Sequence, residues 1–312
     1  EELIERFNTR AQAQFYIEHL GASFAEYDAA HDAYYRARDA VQDALPQGVR
    51  AQFVERSFLP TFLFGPNDLV VTLGPDGLVV NTSKYLTTQP ILALNPDPQR
   101  VDGILVPFLS RDASVLFANV LQNKFTRKRI SMAQAALNNG QTLYAVNDLF
   151  IGVRTHTSAR YELHFGGVRE HQSSSGIIVS TGAGSTGWYR SIVTGAAGVM
   201  EHFADVPEVK AAREEYRFDW EANYLYFAVR EPFVSKTSSA QMIFGRIEKN
   251  QTLDLVSEMP QNGAIFSDGI EADYLEFNSG ALARIGLAEK KVNLIVGAGN
   301  VVASKPSPTF KD

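Results

Sequence analysis

Asp68-Leu69-Val70-Val71-Thr72-Leu73-Gly74-Pro75-Asp76-Gly77 joins an apolar run to a glycine-bearing turn. Its first half is a compact apolar run, the kind of strand that is buried on both faces in a parallel sheet. Gly74-Pro75-Asp76-Gly77 then turns the chain, glycine supplying free dihedrals and proline a fixed φ. Residues 78–86 are expected to continue as a helix, and Pro90-Ile91-Leu92-Ala93-Leu94-Asn95 reads as a second buried strand. A strand, a glycine-bearing turn, a helix and a strand make a βαβ unit with a right-handed crossover. Ligands of such sheets sit beyond the carboxyl ends of the strands. Asp76 and Asn95 both fall at that edge.

Upstream, 11–45 reads as one long helix or two abutting ones. Leu20, Phe24, Tyr27, Tyr34, Val41 and Leu45 recur on one stripe, Gly21 is a candidate break, and Pro46-Gln47-Gly48 ends the pattern. That stripe is expected to be core or a subunit contact. Residues 52–58 have no clean period and read as strand or linker. Downstream of a helix near 112–125 the texture changes to short strands at 127–133, 143–153, 161–165, 176–180, 224–229, 241–247, 251–256, 264–266 and 274–277. Gly, Asn and Ser turns separate them. Lys249-Asn250 and Gln261-Asn262-Gly263 are expected as hairpin turns. At 312 residues the chain suits two domains. They are an α/β nucleotide-binding domain with a Rossmann-like parallel sheet at 1–108, completed by 290–312, and a β-rich domain at 109–289. The apolar run 292–296 is expected to return to the first domain, and Lys305-Pro306-Ser307-Pro308 to fray.

A net charge of −6 leaves no basic excess to neutralise phosphates, which argues against nucleic acid as a partner. No apolar run approaches the roughly 20 residues that span a bilayer. The acidic start, Glu1-Glu2-Leu3-Ile4-Glu5, lacks a signal pattern, and the absence of cysteine removes disulfides and thiolate metal sites. The expectation is a cytoplasmic protein. The six histidines show no HxxxH or HExxH spacing, and neither a Walker A sequence nor a GxSxG elbow is present.

Four clusters carry possible chemistry. In Gly74-Pro75-Asp76-Gly77, glycines at a strand-to-helix turn let backbone approach phosphate. A carboxylate there accepts a proton, holds Mg²⁺ through water, or simply caps the helix. Ser180-Thr181-Gly182-Ala183-Gly184-Ser185-Thr186-Gly187-Trp188-Tyr189 follows an apolar strand and reads as an anion- or ribose-binding loop, packed by its two aromatics. Gly182, Gly184 and Gly187 also spell GxGxxG. A dehydrogenase fingerprint needs an acidic residue ending a second strand about 20 residues on; no clear strand leads into Glu201 or Asp205. Asn147-Asp148 and Ser267-Asp268-Gly269 say little alone.

Taken in order, these clusters resemble the NAD kinase family, with its GGDG turn, an Asn after the next strand, an NE pair, a TGSTAY-type loop and a late DG. The similarity is closest to the mitochondrial-type branch and its bacterial relatives, through Asn95-Pro96-Asp97-Pro98-Gln99-Arg100, Ser158-Ala159-Arg160-Tyr161-Glu162, Val229-Arg230-Glu231-Pro232 and Leu275-Glu276-Phe277-Asn278-Ser279-Gly280. The resemblance implies transfer of the γ-phosphoryl group of ATP (or polyphosphate), with Mg²⁺, to the adenosine ribose 2′-hydroxyl of NAD. Asp76 would take the hydroxyl proton. Gly74 and Gly77 would shape a phosphate-facing turn, and Asn147 with Asp148 would hold NAD ribose. Thr181, Ser185, Thr186 and Trp188 would line the dinucleotide site, with Asn95 and Asp268 completing it. The resemblance also implies a homo-oligomer, dimer or tetramer. This chain departs from the family at Pro75, which removes a backbone donor, at Leu78, which replaces a threonine, and at Asp148, one methylene shorter than glutamate. Losing one preorganised donor costs about 2.7–4 kcal/mol of transition-state stabilisation. A nucleotide-binding protein without transfer activity, or a kinase for a sugar or lipid hydroxyl, are the alternatives.

Overall fold

The computed structural model describes residues 2–302; the expected fraying at Lys305-Pro306-Ser307-Pro308 lies outside them. Three helices open the chain: α1 (Glu2–Phe7), α2 (Arg10–His19) and α3 (Phe24–Asp43). Gly21, at φ +82°, separates the last two. Of the expected stripe, Phe24 and Val41 are buried whereas Leu20, Tyr27 and Tyr34 are exposed. Most of it is therefore not core of this chain. Residues 56–61 form a 3₁₀ helix, not a strand.

The βαβ unit is present as β1 (Val70–Leu73), α4 (Asp76–Ser83) and β2 (Pro90–Asn95). The strands pair in parallel, Val70 opposite Ile91 through Leu73 opposite Leu94. β3 (Phe108–Leu109) extends this layer, and α5 (Ala113–Leu121) packs on it, since Ala113, Leu116 and Phe117 share a core with Leu92, Leu94 and Ile295. A boundary after residue 108 therefore falls ahead of a helix that packs with the residues before it.

Beyond α5 come β4 (Phe125–Leu137), β5 (Thr142–Ala145), β6 (Asp148–Val153), β7 (Ala159–Phe165), β8 (Val168–Ser174) and β9 (Ile177–Ser180). Two helices follow, α6 (Trp188–Phe203) and α7 (Pro207–Glu214). The chain then forms β10 (Tyr224–Val229), β11 (Phe244–Glu248), β12 (Leu253–Ser257), β13 (Gly263–Ser267), β14 (Ile270–Glu276) and β15 (Leu282–Ala298). One sheet runs β1-β2-β15-β12-β7-β8, with β4 on β15 and β5 on β4; the other runs β11-β10-β9-β6-β13-β14. Their facing sides bury Tyr161, Leu163, Leu255 and Ile285 against Ile151, Val179, Phe227 and Ile265, a sandwich core.

Two expected features differ. Residues 143–153 are not one strand: β5 and β6 lie in different sheets, and the chain crosses at Val146-Asn147. Lys249-Asn250 and Gln261-Asn262-Gly263 are not hairpins, because β11 and β13 belong to one sheet and β12 to the other. Tight connections between these elements change sheet instead of reversing within one. The 17-residue β15 links the parts. Its first residues pair with β12, Asn293 and Leu294 pair with β2, and β4 follows it from Leu137–Ala283 to Phe125–Ala298.

Candidate functional site

Asp76 is the first residue of α4. It does not cap its own helix, which begins after an extended Pro75 with no side-chain cap. Instead its two carboxylate oxygens accept the N–H groups of Ile104 at 3.0 Å and Leu105 at 2.8 Å. Asn95 is buried and shapes the same loop: its amide donates to the Val101 carbonyl at 2.9 Å and accepts the Asp97 N–H at 2.9 Å. Gly103, at φ +59°, passes between them, and a Cβ there would stand 2.3 Å from Val106 Cγ2. The structure thus brings Asp76 and Asn95 together on one loop, 95–105.

A second group gathers where the chain changes sheet. Asp268, at φ +57° after β13, turns its carboxylate onto the N–H groups of Val146 (3.2 Å), Asn147 (2.6 Å) and Asp148 (3.4 Å). The Asn147 carbonyl accepts the Thr181 N–H at 2.9 Å, and the Thr181 hydroxyl donates to the Val146 carbonyl. The Ser185 hydroxyl donates to the Gly182 carbonyl at 2.7 Å. Both hydroxyl side chains are wholly buried, so they hold the loop's own backbone. The glycines act likewise: a Cβ on Gly184 would lie 2.0 Å from the Asn147 carbonyl oxygen, and one on Gly182 1.9 Å from that of Asp219. Here the absent side chains permit backbone to approach backbone.

Electrostatics single out the two carboxylates of this corner. Burial, then the neighbouring charge of Asp268, pushes Asp148 up to about 7. Burial pushes Asp268 up to about 6, held back by Lys84 and by its three backbone donors. At the rim, Thr186 is half-buried and Trp188 is 38% exposed. The Trp188 ring stacks on Phe150 (centroids 5.5 Å apart, 12° between planes) and carries the Arg230 guanidinium 5.0 Å from its centroid.

The two groups meet through α4. Val79 and Val80 share one core with Val146 and Trp220, against which Ala183 packs. Asp76 makes no hydrogen bond to 180–188 among the described residues; the connection runs along the helix. Four residues at the site carry no signal in the sequence. Lys84 carries no signal inside an expected helix. The Ile104 and Leu105 amides carry no side-chain signal, and Phe150 reads as an ordinary strand residue. Two clefts, of ≈530 Å³ beside Phe7 and Phe15 and ≈510 Å³ beside Arg160 and His171, are lined by none of the site residues. Among the described residues no group of three His, Cys, Asp or Glu is placed to hold a metal ion, and no helix is long and apolar enough to cross a membrane.

The GxGxxG match fails on geometry. β9 pairs antiparallel with both β6 and β10, and α6 leads to α7 and not to a parallel strand, so no dinucleotide βαβ unit is formed there.

No protein-family model matches the chain, and no curated protein sequence matches it. Among solved structures it is similar to the crystal structure of yeast NADH kinase complexed with NADH, at a TM-score of 0.55 and 15% identity. The likeness covers 75% of this chain and 63% of that one, so this chain spans less than two thirds of that protein's length. At that identity the likeness shows the fold: an α/β N-terminal part joined to a β-rich C-terminal part, as in NAD kinases.

Proposed function

We propose that this protein binds NAD or NADH and transfers the γ-phosphoryl group of ATP to the adenosine ribose 2′-hydroxyl, giving the 2′-phosphorylated dinucleotide. One observation carries the reading: the helix that begins with Asp76 is built into the same core as the Asn147–Asp148 corner and the 181–186 loop. In this reading Asp76 receives the hydroxyl proton, Asn147 and Asp148 meet ribose, and Trp188 with Thr186 lies at the rim of the dinucleotide site. Thr181, Ser185 and Asp268 support these groups from behind, because their polar atoms are occupied by the chain itself. Mg²⁺ arrives with the triphosphate. Phosphoryl transfer asks the protein mainly for positioning and charge neutralisation. Assembly as a homodimer or tetramer belongs to the same proposal.

A second reading, dinucleotide binding without transfer, is favoured by a separate observation. Both Asp76 oxygens already accept main-chain N–H groups, and Pro75 has no N–H to offer a phosphate. Incubation of the purified protein with ATP, Mg²⁺ and NAD distinguishes the two. The first reading expects NADP. It also expects Asp76→Asn to lower the rate by roughly 10²–10⁴-fold, while the loss of one of the two N–H acceptors lowers the melting temperature by only a few degrees. Calorimetric NAD binding with no NADP formed selects the second, and absence of binding removes both.

A further inference from the structure

Lys84 closes α4, and its side chain is 4% exposed. Its ammonium bonds the Ser267 hydroxyl and lies 3.4 Å from Asp273 and 3.7 Å from Asp268, whose side chain is wholly buried. Asp268 in turn holds the backbone of 146–148 through the three N–H bonds described above. The same helix end is fixed a second time. Lys290, on β15, donates to the carbonyls of Lys84 at 2.6 Å and Leu86 at 3.4 Å. A cation there also suits the negative end of the helix dipole.

A buried ion pair is weak support for stability, since an apolar side chain of similar length packs as well without desolvating a charge. In some proteins such a pair selects one arrangement among several. α4 has 8 residues and is about 12 Å long, too short to flex between its ends. Whatever fixes Lys84 therefore fixes Asp76. We infer that Lys84 is a positioning residue, which sets Asp76 and the 103–105 loop against the Asn147–Asp148 corner by anchoring α4 to Asp268. What Asp76 then does rests on the proposed function; the coupling itself does not.

Amide hydrogen exchange tests the coupling without reference to turnover. In Lys84→Met, the amides of Val146, Asn147 and Asp148, bonded to Asp268, should exchange roughly tenfold faster. The amides of Ile104 and Leu105, bonded to Asp76 at the far end, should accelerate similarly, while those of β2 stay protected. Acceleration confined to 146–148 overturns the inference, as does no change at either place. Lys84→Met/Asp268→Asn removes the carboxylate that Lys84→Met leaves without its cation and, should the single variant not fold, carries the measurement at Ile104 and Leu105 alone, because Asp268→Asn itself weakens the bonds to 146–148. If neither folds, Lys84 holds the fold and not a position, and the inference fails. Where the wild type forms NADP, Lys84→Met should also lower kcat by more than it raises KM for NAD; the reverse ranking counts against it. A wild type without activity removes the kinase reading and leaves the exchange result standing.

Discussion

Asp148 is the residue whose environment is hardest to account for by folding alone. It is buried beside a second carboxylate, and the nearby Lys84 pairs with Asp268. Its pKa rises from 3.8 to about 7, so the folded state keeps a proton that the unfolded chain releases. Stability from this group is complete below pH 4 and is lost as pH rises through 7. Every tenfold change in proton affinity on folding corresponds to about 1.4 kcal/mol. Asp148→Asn should therefore leave stability nearly unchanged at about pH 3 and raise it by a few kcal/mol at about pH 8, read from urea unfolding at the two pH values. A variant less stable than wild type at pH 8 would mean that the ionised carboxylate has a stabilising partner. A charged group retained at such a cost fits the proposed ribose contact, where two hydroxyls would donate to it, and the same variant should bind NAD more weakly.

At the scale of elements, the two glycine-bearing turns separate by what surrounds them. Gly184 lies against the Asn147 carbonyl, whereas a Cβ on Gly77 meets nothing within 4 Å. Gly184→Ala should cost about 3 kcal/mol or more, because backbone must move. Gly77→Ala, inside the first turn of α4, should stabilise by up to about 1 kcal/mol. If Gly77→Ala nonetheless lowers NADP formation, the space beside α4 is used by a ligand; full activity in that variant would show that it is not. The same contrast explains what is legible in the sequence. β1, α4 and β2 are readable because each is an unbroken local signal, two apolar runs around a Gly-Pro-Asp-Gly turn. The break between β5 and β6 is not, since Asp268 imposes it from more than a hundred residues away. β8 escapes because its inward residues, Glu170, Gln172 and Ser174, are polar and bonded to Tyr161, Met242 and Gln241. The resemblance in Ser180-Thr181-Gly182-Ala183-Gly184-Ser185 locates the corner. It cannot tell which hydroxyls face inward, because that depends on backbone supplied by 146–147 and Asp219.

Across the whole molecule, β4 and β15 make the α/β part and the sandwich one mechanical unit. Ile130, Met132 and Val292 on these strands share a core with Val70 and Ile91, while further along the same strands Ala135 and Ile285 enter the sandwich core. Unfolding either part would strand half of each long strand without its partner. The chain's two tryptophans stand in different places on this frame. Trp220 is buried in the core around α4, and Trp188 stacks on Phe150 outside the sandwich. Trp188→Phe and Trp220→Phe therefore leave single fluorophores that watch different regions. With the layers coupled through β4 and β15, urea should unfold both probes at one midpoint with one slope, coincident with the loss of circular dichroism. Separate midpoints would mean that the parts unfold independently. α4 would then be held to the Asn147–Asp148 corner by its own contacts alone, and the placement of Asp76 would depend on Lys84 to a greater degree than the shared strands require.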